Sequence, residues 1–183
     1  MSDDRWQNKY RIESARAEWH DYDGGIYFIT ICTKHREHFF GEIEDNAMVL
    51  SEIGYYTAEQ FQNVSSHYPY AEIPLFTIMP NHVHAIVVID GNKTKYDRRV
   101  VETWRAASLQ DIANLQGWLS VVIGGLKSSI TRYANKNKIS FSWQPRFHDH
   151  IIRDNSELNR VTTYIENNVT NWKDDEFYTP KTT

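Results

Sequence analysis

The alternation of apolar and polar positions divides the chain into strands and helices. Ile26 to Thr33 (IYFITICT) is apolar, β-branched or aromatic on both alternating faces, the pattern of a central strand covered on both sides. Helical spacing follows in Leu50, Ile53, Ala58, Phe61 and Val64, and Pro69 and Pro74 bound an expected loop. Leu75 to Met79 (LFTIM) and His82 to Ile89 (HVHAIVVI) read as strands joined at the turn signal Pro80-Asn81, hence a hairpin. Residues 91–107 are polar and basic, an expected exposed loop. A long helix opens at Ser108, with Asp111 three residues on as in a capping box. Its stripe is Leu109, Ile112, Leu115, Leu119, Val122, Leu126, Ile130 and Tyr133, and Gly117 and Gly124-Gly125 are points where it can split or kink. Strand-like stretches between Phe141 and Arg153 are broken by Pro145. A last helix is expected after the N-cap Asp154, with Glu157 at N3 and a buried stripe of Leu158, Val161 and Ile165 continued by Val169.

The order strand, helix, strand, strand, helix, strand, helix predicts an α+β fold. Hairpin-linked strands with helices returning over them make a two-layer sandwich, a mainly antiparallel sheet with helices on one face, in a ferredoxin-like or RRM-like layout. The expected division is an N-terminal arm over 1–24, one domain over 25–172 and a mobile C-terminal tail over 173–183.

Composition narrows the function. A chain of 183 residues and 21.6 kDa is enough for one domain that folds without disulfides. The single cysteine, Cys32, excludes an internal disulfide framework and a multi-cysteine zinc site, and its place in a strand predicts an inert buried thiol. No apolar run approaches the roughly 18 residues of a membrane span. The polar start Met1 to Asp4 is unlike a signal peptide, so a cytoplasmic protein is expected. The net charge of −4 argues against a nucleic-acid binder, but it is unevenly spread: −8 over residues 1–91, +6 over 92–160 and −2 over 161–183. A basic middle makes a local electrostatic footprint unless folding disperses it.

Two constellations carry chemistry. His82 and His84 lie at i and i+2 of a strand, so their side chains share a face, with Cα atoms roughly 6.5–7 Å apart. Two neutral imidazoles at that spacing can converge on a cation, or they are two buried histidines bonded to backbone. Tyr164 and Asn168, at i and i+4 of the last helix, stand on one face at the edge of its buried stripe. An amide oxygen there is a hard ligand able to complete such a site; the alternative is a boundary tyrosine with its hydroxyl in water and an asparagine ending the helix. His148-Asp149-His150 is a rival pair, weakened by its charged middle residue and Pro145. His35 and His38 read as loop residues, and Ser128 and Ser129 lack a nucleophile-elbow pattern.

Met79-Pro80-Asn81-His82-Val83-His84, followed by an apolar strand, resembles the His–hydrophobic–His motif of the single-tyrosine HUH transposases, and in particular the REP-associated tyrosine transposases. Other matching pieces follow in family order: Leu126-Lys127-Ser128, then Trp143 to Arg153, then Tyr164-Ile165-Glu166-Asn167-Asn168. The similarity runs from about Gly25 to Trp172. Val169 follows Asn168 where many relatives carry proline, so the helix is free to run on.

The resemblance implies the HUH fold, Tyr164 as nucleophile, and His82, His84 and Asn168 as ligands of Mg²⁺ or Mn²⁺. The implied partner is single-stranded DNA with a hairpin, a palindromic REP-type element, in a nucleoid-associated protein that is a monomer or a homodimer. On that reading Lys127, Arg132, Lys136 and Lys138 line the DNA side, Arg146 and Arg153 flank the cleft, and Trp104, Trp118 or Trp143 stacks on unpaired bases unless it belongs to the core. The implied activity is transposase activity, strand cleavage and transfer through a 5′-phosphotyrosine. The alternatives are a non-cleaving nucleic-acid-binding module of the same fold and a hydrolytic metal nuclease.

Overall fold

The structure is a computed structural model that describes residues 25–94 and 109–180. The expected arm, most of the basic loop, Trp104, Ser108 and the last three residues lie outside the described residues.

In chain order the elements are β1 (Gly25–Cys32), β2 (Gly41–Glu44), β3 (Ala47–Leu50), α1 (Glu52–Gln62), α2 (Val64–His67), β4 (Ala71–Ile78), β5 (His82–Ile89), α3 (Gly91–Thr94), α4 (Leu109–Lys136), β6 (His148–Ile151) and α5 (Asn155–Asn167). The main sheet has four strands in the order β4-β5-β1-β6, with every neighbouring pair antiparallel. Setting β2 and β3 aside, that is the ferredoxin-like order, as expected. β1 and β5 are central and run almost wholly apolar because both faces are covered.

Parity along β1 and β5 assigns the layers. Tyr27, Ile29, Ile31, Val83, Ala85 and Val87 face one way and pack under α1 and α4, against Ile53, Phe61, Val122, Leu126 and Ile130. Ile26, Ile86 and Val88 face the other way and meet Leu158, Val161 and Ile165 of α5. The sandwich thus has its expected helical layer, and the closing helix is added on the opposite face. His82 and His84 have the parity of Ile86 and therefore lie on the α5 side.

Local chemistry explains the element ends. The Ser51 hydroxyl accepts from Gly54 N–H at the start of α1, and the Asp154 carboxylate accepts from Glu157 N–H at the start of α5. α4 is interrupted at Gly117 (φ 56, ψ 156), a conformation in the left-handed range that glycine adopts without a Cβ penalty. Pro74 stands inside β4 rather than in a loop. It sits at a register shift between Glu72 and Leu75 of a sheet-edge strand, where a missing N–H costs no ladder bond. The β2–β3 hairpin was not expected from the pattern. Its turn is Asp45-Asn46, both at positive φ (50° and 60°), the turn chemistry of a two-residue hairpin.

α5 ends at Asn167, with Asn168 as its C-cap, although no proline stops it. The chain turns back because Trp172 and Phe177 are buried with Cys32 and Met79 against the sheet. The tail expected to be mobile is therefore packed at least through Phe177, whose carbonyl accepts from Asn81 Nδ2 at 2.9 Å.

Candidate metal and tyrosine site

β5 delivers both imidazoles to one buried point. His82 and His84 are almost wholly inaccessible, with ring centroids 4.4 Å apart. Each is oriented from behind. Asn81 Oδ1 lies 2.8 Å from His82 Nδ1, and Thr30 Oγ1, opposite His84 in the β1–β5 register, lies 2.9 Å from His84 Nδ1. Asn81 Oδ1 only accepts, so His82 Nδ1 donates and its Nε2 lone pair points forward; the Thr30 hydroxyl can donate or accept, so His84 Nε2 can either receive or give the bond to Tyr164. α5 supplies the facing wall. Tyr164 Oη is 3.2 Å from His84 Nε2, and the residue as a whole is about 40% exposed. The returning segment adds a residue outside the expected set. Asp175 Oδ2 accepts from Tyr164 Oη at 3.2 Å and from Asn168 Nδ2 at 2.7 Å.

Two lone pairs in this cluster lack a partner. His82 Nε2 and Asn168 Oδ1 are buried without a well-formed hydrogen bond, and the Asn168 amide lies close enough to the His82 ring to act on its proton affinity. A buried acceptor left unsatisfied is costly, so such orphans call for an explanation. One ligand atom each from His82, His84 and Asp175 lies within 4.8 Å of the others, a group able to hold a metal ion. Imidazole nitrogens, a carboxylate and an amide oxygen form a mixed nitrogen and oxygen set that fits a divalent first-row cation, and a bound ion would satisfy both orphans. The ion's identity is not fixed by this set.

Burial dominates the electrostatics. It pushes His84 down to about 4, partly offset by the Asp175 carboxylate. It also drives His82 well below the ordinary histidine value, with His84 adding to the effect. Both rings are neutral at pH 7, the form that ligates. Burial first, and then Asp175, raise the Tyr164 phenol above its usual value, so it is a protonated nucleophile in need of an acceptor. Burial raises the Cys32 thiol to about 11, in keeping with an inert core residue.

The structure brings His82, His84, Tyr164 and Asn168 together. It does not bring the basic candidates to them as a group. Lys127 Nζ is engaged by the carbonyls of Gln144 and Arg146, at 2.8 Å each, and lies over the Trp143 ring. It clamps the loop leading into β6. Arg132 and Lys136 are exposed on α4, whose layer lies on the sheet face away from the imidazoles, and Lys138 is exposed just beyond it. Arg146 and Arg153 are exposed on either side of β6. His150 of the rival pair is exposed and bonded to Glu157 at 2.7 Å, outside the cluster. Trp118 packs on Tyr70 and Trp143 on Phe40 and Phe141, so both are bound up with the core.

Three contributors escaped the sequence reading. Thr30 had a signal, a hydroxyl on the buried parity of an apolar strand. Asn81 stands inside the histidine motif itself. Asp175 had none, because only chain reversal after α5 brings it back.

Fold and site together define an α+β protein with a paired-histidine, tyrosine and amide cluster, the arrangement that the motifs led us to expect of a single-tyrosine transposase. The chain belongs to one family with an uncharacterized protein of Haemophilus influenzae, 34% identical over 168 residues that cover 90% of this chain and 92% of that protein. A second H. influenzae protein, provisionally named a REP-associated tyrosine transposase, is 24% identical over 146 residues, 78% of this chain and 68% of its own. The resemblance to the REP-associated tyrosine transposases is thereby borne out, and a transposase family is supported. No family model matches the chain. Two solved structures are similar. One is a REP-associated tyrosine transposase bound to a REP hairpin, with TM-score 0.49 and 18% identity, covering 90% of this chain and 73% of that one. The other is a provisionally named transposase from Deinococcus radiodurans, with TM-score 0.38 and 13% identity, covering 85% and 97%. Among the described residues no helix is long and apolar enough to cross a membrane.

Proposed function

We propose that this protein is a metal-dependent, single-tyrosine DNA-nicking and strand-transfer enzyme that acts on single-stranded DNA carrying a hairpin. The observation that carries the reading is the position of Tyr164 Oη, 3.2 Å from His84 Nε2 at the mouth of a cluster holding two orphaned lone pairs. The second H. influenzae relative, by its name, supports the substrate class.

His82, His84 and Asn168, joined by Asp175, would hold a divalent cation, Mg²⁺ or Mn²⁺. When bound, such an ion polarises a phosphate oxygen and stabilises charge at phosphorus. Tyr164 Oη attacks the phosphorus of a phosphodiester placed at its exposed side. The new bond is oxygen to phosphorus, the bond to the 3′-oxygen breaks, and the products are a 5′-phosphotyrosine and a free 3′-hydroxyl. Asp175 Oδ2 is placed to accept the phenolic proton, and the leaving 3′-oxygen takes one up. Reversal with another strand's 3′-hydroxyl gives strand transfer without loss of bond energy. The tyrosine and both imidazoles come together within one chain, which favours cleavage by a monomer over exchange of the tyrosine helix between two copies.

DNA binding is assigned to Arg132, Lys136, Lys138, Arg146 and Arg153, with Lys127 holding the Gln144–Arg146 backbone in shape. Reversing several exposed cations is expected to lower the salt slope of hairpin binding by about one per lost phosphate contact. An unchanged slope counts against that surface.

Incubation of the protein with a hairpin oligonucleotide and Mn²⁺ is expected to give a covalent mass shift on Tyr164. The Tyr164→Phe variant is expected to lose cleavage and keep binding. Cleavage that survives in Tyr164→Phe indicates a hydrolytic nuclease, and the absence of any cut by the unmodified protein indicates a binding module.

A further inference from the structure

A cavity of about 570 Å³ opens at the Tyr164 phenol and runs along the exposed side of α5. It lies within the roughly 300–1,000 Å³ range of small-molecule sites. Thr163, Asn167 and Asn171 line it, together with Arg160, Asp174 and Asp175. The first three repeat along the helix and its C-terminal turn, because residues 3, 4 and 7 apart share a face.

The lining decides what fits. Against one cation the groove carries two carboxylates, and the Arg160 guanidinium is already 3.4 Å from Glu157 Oε1. Beyond the cation-binding end at Asp175, a phosphate would find no unpaired cation along the lining. A nucleobase meets amides and a hydroxyl, groups that pair with base edges. Asn171 makes no side-chain hydrogen bond among the described residues. Asn167 uses one N–H on the Thr163 carbonyl at 2.8 Å, leaving its amide oxygen and a second N–H for a ligand. Because the groove begins at the nucleophile, a nucleotide beside the scissile phosphate lies over it.

We infer that this groove is a base-reading subsite: it seats the nucleobase adjoining the scissile phosphate, and the amides of Asn167 and Asn171 read its edge. The inference rests on the nicking function proposed above. An asparagine amide matches the adjacent donor and acceptor of adenine, so adenine is the favoured base.

The test uses the full chain carrying Tyr164→Phe, which binds without cutting. Hairpin oligonucleotides with single-stranded tails, each tail position varied through the four bases, are titrated by fluorescence anisotropy. Adenine at one tail position is expected to be preferred by about 5- to 150-fold, the discrimination of a bidentate base contact. Adding Asn167→Ala and Asn171→Ala is expected to flatten that preference while the melting temperature and Mn²⁺ affinity hold. Asn167→Asp is expected to move it toward cytosine, whose amino group a carboxylate accepts, a change that a purely structural role would not produce. A preference that survives the double alanine substitution overturns the subsite, and so does uniform binding at every tail position. The mass shift of the unmodified protein is read separately. Adduct formation with uniform binding sinks the subsite and spares the nickase, whereas base preference without an adduct keeps the subsite and removes the nickase.

Discussion

The two faces of β1 and β5 are made from alternate residues of the same strands, yet they differ in kind. On the α4 side, Ile29, Ile31, Val83, Ala85 and Val87 form a dry apolar layer. On the α5 side, the same strands present Thr30, His82 and His84, buried just as deeply but polar, beside two lone pairs with no partner. Burial does opposite work on the two faces. Under α4 it removes apolar area from water and stabilises the fold. Under α5 it strips water from imidazoles and an amide, which costs stability and leaves them ready for a cation. One sheet can do both because a strand's period of two keeps the faces chemically independent.

The comparison can be tested from its strongest consequence downward. Ile29→Ala, in the dry layer, is expected to cost about 2–5 kcal/mol in urea unfolding while leaving the Mn²⁺ affinity of the folded protein unchanged. A loss below about 1 kcal/mol would mean that the layer tolerates a cavity and the contrast is overstated.

Acid acts on the other face. The folded-state pKa of His84, about 4, lies below its ordinary 6.5, so the unfolded chain binds the extra proton between those values. The associated stability is complete above pH 6.5 and is lost as pH falls toward 4. It amounts to about 3 kcal/mol in metal-free protein, with His82 acting in the same direction. Unfolding midpoints in chelator across that range check it, and a flat profile contradicts it.

Mn²⁺ at a hundred times its dissociation constant is expected to add about 2.7 kcal/mol of stability to the unmodified protein and none to His84→Ala. Equal shifts in both would place the ion elsewhere. Asp175→Asn is expected to weaken Mn²⁺ binding about 10- to 100-fold by calorimetry. An unchanged affinity would reduce Asp175 to a partner of Tyr164 and Asn168. The smallest effect belongs to the scaffold of the dry side: Ser51→Ala removes the α1 cap and should cost about 1 kcal/mol in the same unfolding assay.

Much of this was legible in one dimension. IYFITICT announced a central strand, since only a strand covered on both faces is apolar at both parities, and HVHAIVVI announced a hairpin strand. The spacing of His82 and His84 put them on one face, and Asp154 with Glu157 marked the start of α5. The losses have particular causes. Pro74 read as a loop because its tolerance depends on β4 being an edge, which is a property of the sheet. The Asp45-Asn46 hairpin is short and its strands are half exposed, so its apolar pattern is weak. The two carbonyls that hold Lys127 were equally out of sight, because only its charge is written in the sequence.

Local periodicity was enough for β1, β5, the helix carrying Tyr164 and the parity that pairs the imidazoles, because none of these needs a distant partner. Long-range packing set α5 across the histidine face, put Thr30 and Asn81 behind the rings and brought Asp175 back to meet Tyr164. Those contacts join residues far apart in the chain, brought together by burial of side chains such as Trp172 and Phe177, and non-directional burial leaves no periodic trace along the sequence.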